Sequence, residues 1–152
     1  MMIQLRVEQI ADHWDIVKHA IEQSLPPIAG DESDGRMNRI LSAALSGRLQ
    51  CWISYEIEED KLRKLNGIAT TQILIDDVCD VKNLLIYSVF SAEEIGAYAW
   101  KEGLKTLTDY AISKGCKSLI AYTQIDGIID LVNKLGGDTS FRFIKLPLII
   151  GD

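Results

Sequence analysis

The sequence predicts an α/β (α+β) protein: a mixed central sheet of about six strands flanked by about four helices, in the order β-α-α-β-β-β-α-β-α-β. Three observations carry this reading. Apolar residues alternate in some stretches and recur every three or four residues in others. Gly, Pro and Asn punctuate the joints between them. The second half passes from strand to helix to strand, which is the signature of one parallel crossover.

The elements follow in order. IQLRVEQI (3–10) alternates and reads as a strand. Ile10, Trp14, Val17, Ile21 and Leu25 then recur at helical spacing, with Asp12, Asp15, Lys18 and Glu22 on the other side. Pro26 and Pro27 must stop that helix, because proline lacks the N–H a helix interior needs. AGDESDG (29–35) is a polar loop in which Ser33 or Asp34 suits the cap of a second helix, running to Leu49. Its apolar stripe is Met37, Ile40, Leu41, Ala44 and Leu45. CWISYEIEE (51–59) alternates as a strand, and KLRKLNG reads as a turn with an Asn66-Gly67 hairpin signal.

IATTQILI (68–75) and NLLIYSVF (83–90) are the next strands, joined by DDVCDVK, with Tyr87 and Ser88 expected on opposite faces. A long helix spans Ile95 to Lys114, and Gly115 suits a left-handed helix end. KSLIAYTQ (117–124) is a mostly apolar, buried-type strand. IIDLVNKLGG (128–137) is a short helix closing on two glycines. FRFIKLPLI (141–149) is a last strand that Pro147 places at an edge.

The 152 residues, 47% hydrophobic and 25% charged, suit a single globular domain, taken here as 1–152. Net charge is −6 and no stretch concentrates Lys or Arg, which argues against nucleic acid and anionic membranes as partners. Cys51, Cys79 and Cys116 form no CxxC and read as free thiols of a reducing compartment, hence a cytoplasmic protein. His13 and His19 stand six apart, not on one helix face, and read as surface residues; no metal site is expected. The N-terminus lacks a signal peptide's apolar core, and no apolar run is long enough to span a bilayer.

One stretch raises a functional question. SAEEIGAYAWKEG (91–103) enters the long helix with Gly96, and that helix ends on Ala111-x-x-x-Gly115. An apolar strand follows, then a short helix closing on Lys134-Leu135-Gly136. This order resembles the GNAT superfamily, the Gcn5-related N-acetyltransferases, over nearly the whole chain. The resemblance implies acetyl-CoA between the fourth and fifth strands, its pyrophosphate on backbone amides at the start of the following helix. Helix N-termini offer anions unpaired donors and a positive dipole end. The cofactor residues it implies are Val89, Ser91, Ile95, Gly96 and Ala97.

The motifs depart from the family pattern. Counting back from Ala111 without gaps, the family's Arg/Gln falls on Ile95, and its two small positions fall on Tyr98 and Trp100, aromatics that suit core packing or an interface. A shifted alignment with Gly96 as the first small residue puts Glu93 at the Arg/Gln position and Tyr98 at the last small one. Glu93 and Glu94 serve as first-turn acids, but beside a pyrophosphate they would oppose binding by about 1 kcal/mol before solvent screening. Val132 stands where the family's acidic tyrosine sits, and Gly137 where a Phe usually follows. Tyr122, with Thr123 and Gln124 on the expected fifth strand, is the remaining candidate catalytic acid.

The resemblance therefore implies a divergent GNAT-like protein with a degenerate cofactor loop, its acetyl-CoA bound weakly or not at all. It implies acyl transfer to a small-molecule or protein amine if active, with a homodimer as one assembly. The alternative is a non-catalytic binding or assembly module, of a kind also found in bacteriophage genomes.

Overall fold

In the computed structural model the described residues are 1–29, 35–59, 63–91 and 93–148. The chain divides into two compact units, Met1–Ala121 and Tyr122–Asp152.

The first unit holds a five-stranded sheet in sequential order: β1 (Met2–Gln4), β2 (Gln50–Ile57), β3 (Arg63–Asp76), β4 (Val81–Phe90) and β5 (Leu119–Ala121). The first three pairings are antiparallel and β4–β5 is parallel, as the crossover pattern requires. Five strands form among the described residues, one fewer than expected. Residues 141–148 make no strand; they pair with no described neighbour, and Phe141, Ile144, Leu146 and Leu148 are exposed. Without a partner ladder, β-propensity alone does not make a strand.

The helices number five among the described residues, plus a 3₁₀ turn at Pro27–Ala29. The expected helix over 10–25 is two: α1 (Val7–Asp12) and α2 (Trp14–Glu22), broken at His13. The strand expected over 3–10 stops at Gln4. The Arg6 amide donates to Gln9 Oε1 (2.9 Å), so the chain turns helical at Val7, before the expected strand has ended. In α3 (Arg36–Leu45) the N-cap is Gly35, at φ +79°; Ser33 and Asp34 lie outside the described residues. α4 (Ala97–Ser113) ends on Gly115 at φ +78°, with the Cys116 amide donating to the Ala111 carbonyl (2.9 Å), the hydrogen bond of a glycine-terminated helix.

Two apolar layers sandwich the sheet. Val17, Ile21, Ile40, Ala44 and Cys51 centre the α1–α3 side; Trp52, Ala69, Leu84, Leu107 and Ala111 centre the α4 side. Gly103 lets α4 approach β1 closely: a Cβ there would lie 3.2 Å from Met2 Cε.

Asn66-Gly67 is not the hairpin turn the dipeptide suggests. It lies inside β3, where Ser54 pairs with Gly67 and Tyr55 with Leu65, leaving Asn66 as the extra residue of a bulge. A second bulge falls in β4. Thr70 pairs with Ser88 and Thr71 with Ile86, so Tyr87 is the unpaired residue.

The second unit holds α5 (Asp126–Lys134), followed by Gly136 at φ +83°. β5 ends at Ala121, so Tyr122–Gln124 are not strand as expected.

Candidate functional site

The β4 bulge sets the geometry. A bulged residue breaks the strict alternation of side chains. Tyr87 packs against the α1–α3 layer, and Ser88, opposite Thr70, hydrogen-bonds to it at 2.5 Å on that same face. The expectation that Tyr87 and Ser88 face opposite ways fails because alternation was assumed through the bulge.

The bulge also falls where the β4–β5 pairing ends. Their ladder runs Leu84–Leu119, Leu85–Ile120 and Ile86–Ala121, then stops. β4 continues to Phe90, held by β3 on one side and, among the described residues, unpaired on the other. Val89 lies in this stretch and turns towards the α4 layer.

Beyond Phe90 the chain is pinned to β3. Ser91 Oγ donates to the Asn66 carbonyl (3.0 Å) and contacts the Glu93 carbonyl. Lys64 pairs with Glu93 at 3.1 Å, and that carboxylate holds the Lys64 ammonium above its usual range. Ile95, at the position of the family's Arg/Gln, turns its Cδ1 onto Gly67, where a Cβ would lie 3.4 Å away. Gly67 and the Asn66 bulge thus seat an apolar side chain where a cation was sought.

Gly96 caps α4 in an extended conformation (φ −66°, ψ 157°) with no side-chain cap, and a Cβ on it would meet nothing within 4 Å. Trp100 donates to the Gly96 carbonyl (3.1 Å). The amides of Ala97, Tyr98 and Ala99 find no acceptor among the described residues, as a first helical turn leaves them. Tyr98 is 81% exposed and belongs to no core; Trp100 is half-buried. The five cofactor candidates therefore lie at the end of β4 and the start of α4. Its backbone suits an anion, and its side chains lack a cation.

Among the sequence-derived candidates, Tyr122 stands in the second unit, its ring edge-on to Phe143 at 5.0 Å. There the departures at Val132 and Gly137 explain each other. A Cβ on Gly137 would lie 2.4 Å from Val132 Cγ1, so this turn leaves no room for the family's Phe. His13, at the end of α1, and His19, its ring edge-on to Phe90 at 5.7 Å, are both exposed, as expected. Cys51, Cys79 and Cys116 are free, and burial pushes the Cys51 thiol up to about 12. Among the described residues no cluster of three or more His, Cys, Asp or Glu could hold a metal ion. Nor is any helix there long and apolar enough to cross a membrane.

Sequence reasoning also missed a pocket of about 260 Å³ on the α1–α3 side, lined by Arg36, Arg39, Arg48, Gln72 and Tyr87. Arg36 and Arg39 stand three apart on α3, and Arg48, Gln72 and Tyr87 join them through the fold.

No protein-family model matches this sequence, and no curated protein is a significant match. Solved structures do match. A putative acetyl transferase from Pyrococcus furiosus superposes with TM-score 0.66 at 17% identity, covering 97% of this chain and 99% of that one. This is the GNAT acetyltransferase fold. A ribosomal-protein-alanine N-acetyltransferase from Brucella melitensis biovar Abortus 2308 shares the GNAT fold at TM-score 0.63 and 9% identity, covering 97% of this chain and 99% of that one. The aminoglycoside acetyltransferase AAC(6')-Iy, solved with a CoA bisubstrate analogue, matches at TM-score 0.63 and 19% identity, covering 99% of this chain and 98% of its own. At these identities the GNAT likeness is one of fold, and the chemistry has to be argued from the site.

Proposed function

We propose that this protein is a cytoplasmic, acetyl-CoA-dependent N-acyltransferase that binds its cofactor weakly. The observation that carries this reading is the end of the β4–β5 ladder at Ile86–Ala121, next to an open helix start with unengaged amides. The Ala97, Tyr98 and Ala99 amides would hold a pyrophosphate through backbone donors and the helix dipole. Ser91, Val89 and Ile95 would line the cofactor's path from there along the unpaired end of β4. Bound acetyl-CoA supplies an activated thioester. The protein's part is to orient an incoming amine, exclude water and provide polar groups near the reacting carbonyl. Tyr122 is the side chain proposed to return a proton. Weak binding follows from Ile95 in place of a cation and from Glu94 nearby.

A second reading, a non-catalytic GNAT-like binding or assembly module such as a phage-derived one, draws on Ile95 packed onto Gly67 and on Val132 in place of a tyrosine. Calorimetry with acetyl-CoA, followed by CoA-release assays over a panel of amines, separates the two. The transferase reading expects micromolar-to-millimolar binding and turnover lost in Tyr122→Phe. No heat at millimolar ligand would end it, and binding without turnover would favour the module. Sedimentation of the free protein tests for a homodimer.

A further inference from the structure

The pocket over β3 and β4 has an unusual charge for this chain. The protein carries a net charge of −6, yet three arginines, Arg36, Arg39 and Arg48, line one cavity with no acidic side chain among the described lining residues. Arg36 is the first residue of α3, where the helix dipole disfavours a cation. Its side chain is half-buried, and its Nε is buried with no hydrogen-bond partner among the described residues. A buried N–H left unpaired is costly, so structural stability alone does not account for it. Arg48 stands at the rim, its Nε on Ser46 Oγ (3.1 Å). Arg39 has an interaction of its own, so the weight falls on Arg36 and Arg48.

Tyr87 joins this pocket to the transfer site. It lines the cavity, and it is the bulge residue directly after the last β4–β5 pair. Arg36 lines the same cavity as Tyr87, and its guanidinium counters the rise in the phenol pKa that burial causes. A molecule in the pocket is thereby held beside the point where β4 becomes free. Guanidinium groups match planar and tetrahedral oxyanions through paired, charge-assisted hydrogen bonds.

We infer that this pocket binds the oxyanion, carboxylate or phosphate, of an acceptor that presents its amine to the end of β4. The acceptor role rests on the transferase reading; the anion site does not. Anion binding would satisfy Arg36 Nε and offset the cations at the start of α3. Asp31, Glu32 and Asp34 precede Gly35 in sequence and lie outside the described residues, so a carboxylate of the chain is the competing occupant.

The test follows the Arg36 Nε–Hε resonance and the Tyr87 amide in ¹⁵N-labelled full-length protein. Inorganic phosphate and succinate are titrated separately, with ionic strength held by sodium chloride. A saturating shift with one anion identifies its class. Arg48→Gln should weaken that binding about tenfold, as loss of one charge-assisted contact does. Arg36→Lys, which keeps the charge but loses Nε, should abolish the Tyr87 shift. Absence of saturation with both anions, as when Asp31, Glu32 or Asp34 fills the pocket, overturns the site; so do shifts unchanged in both variants. Amine pairs differing only in a carboxylate or phosphate then test the acceptor role. Transfer favouring the anionic member about tenfold, lost in Arg48→Gln, supports it. Transfer without preference overturns it, and anion binding with no transfer to any amine instead ends the transferase reading.

Discussion

Lys64 on β3 holds Glu93 at 3.1 Å, across the entrance to α4. One of the two carboxylates that the sequence sets against a pyrophosphate is therefore partly neutralised, and it is drawn towards β3. Lys64→Ala should weaken acetyl-CoA binding about two- to fivefold, and Glu93→Gln should strengthen it by a similar factor. Both effects should shrink as salt rises. The pair is exposed, so the melting temperature should barely move. Calorimetry at two ionic strengths checks this, and equal affinity in both variants would refute it.

Gly137 and Val132 form a steric pair in the second unit. A Cβ at 137 would lie 2.4 Å from Val132 Cγ1 and 3.1 Å from the Val132 carbonyl oxygen. Gly137→Ala should cost about 1–3 kcal/mol, the range for overpacking. Adding Val132→Ala should recover part of that loss. Denaturant titration of the two variants decides; a Gly137→Ala protein as stable as its parent would show that the turn adapts.

Thr71 sits beside the β4 bulge and is fully buried. Its Oγ1 accepts from Trp52 Nε1 (3.0 Å) and donates to Gln50 Oε1 (2.9 Å). Thr71→Val keeps the shape but orphans two buried polar groups, which should cost about 2–4 kcal/mol. Thr71→Ser keeps the hydroxyl and should cost less. Urea unfolding followed by Trp fluorescence measures both.

Cys51 is buried, and its thiol pKa rises from 9.0 to about 12. The folded state holds that proton more tightly than the unfolded chain. Its contribution is intact below pH 9 and is lost as pH rises towards 12, with a slope of at most about 1.4 kcal/mol per pH unit. Tyr87 and Tyr110, also raised by burial, act in the same direction. Cys51→Ala should flatten this alkaline decline. A thiol reagent at neutral pH should modify exposed Cys79 first and Cys51 only on unfolding. Rapid modification of Cys51 in the native protein would contradict the burial.

Helix and strand identities were largely legible in the sequence. Val17 and Ile21 of α2, and Leu107 and Ala111 of α4, repeat at the helical period because one face of each must leave water. Gly115 marks the end of α4 because its φ of +78° penalises a side chain. The passage from β4 into α4 was legible for the same local reasons. The state of that turn was not. Asn66-Gly67 carries a hairpin signal, yet sheet pairing absorbs it as a bulge that receives Ile95. The alternation of β4 gives no hint that Tyr87 is unpaired, because a bulge depends on the neighbouring strand's register.

The sequence by itself determined the order of elements from β2 to α5, their apolar faces and the missing cation at Ile95, all of which depend on residues close in the chain. The tertiary structure alone decided the ladder's end at Ile86–Ala121, the Lys64–Glu93 pair and the meeting of Arg36, Arg48 and Tyr87. Those are contacts between residues distant in the chain, and only the packing of the sheet and its helices selects them.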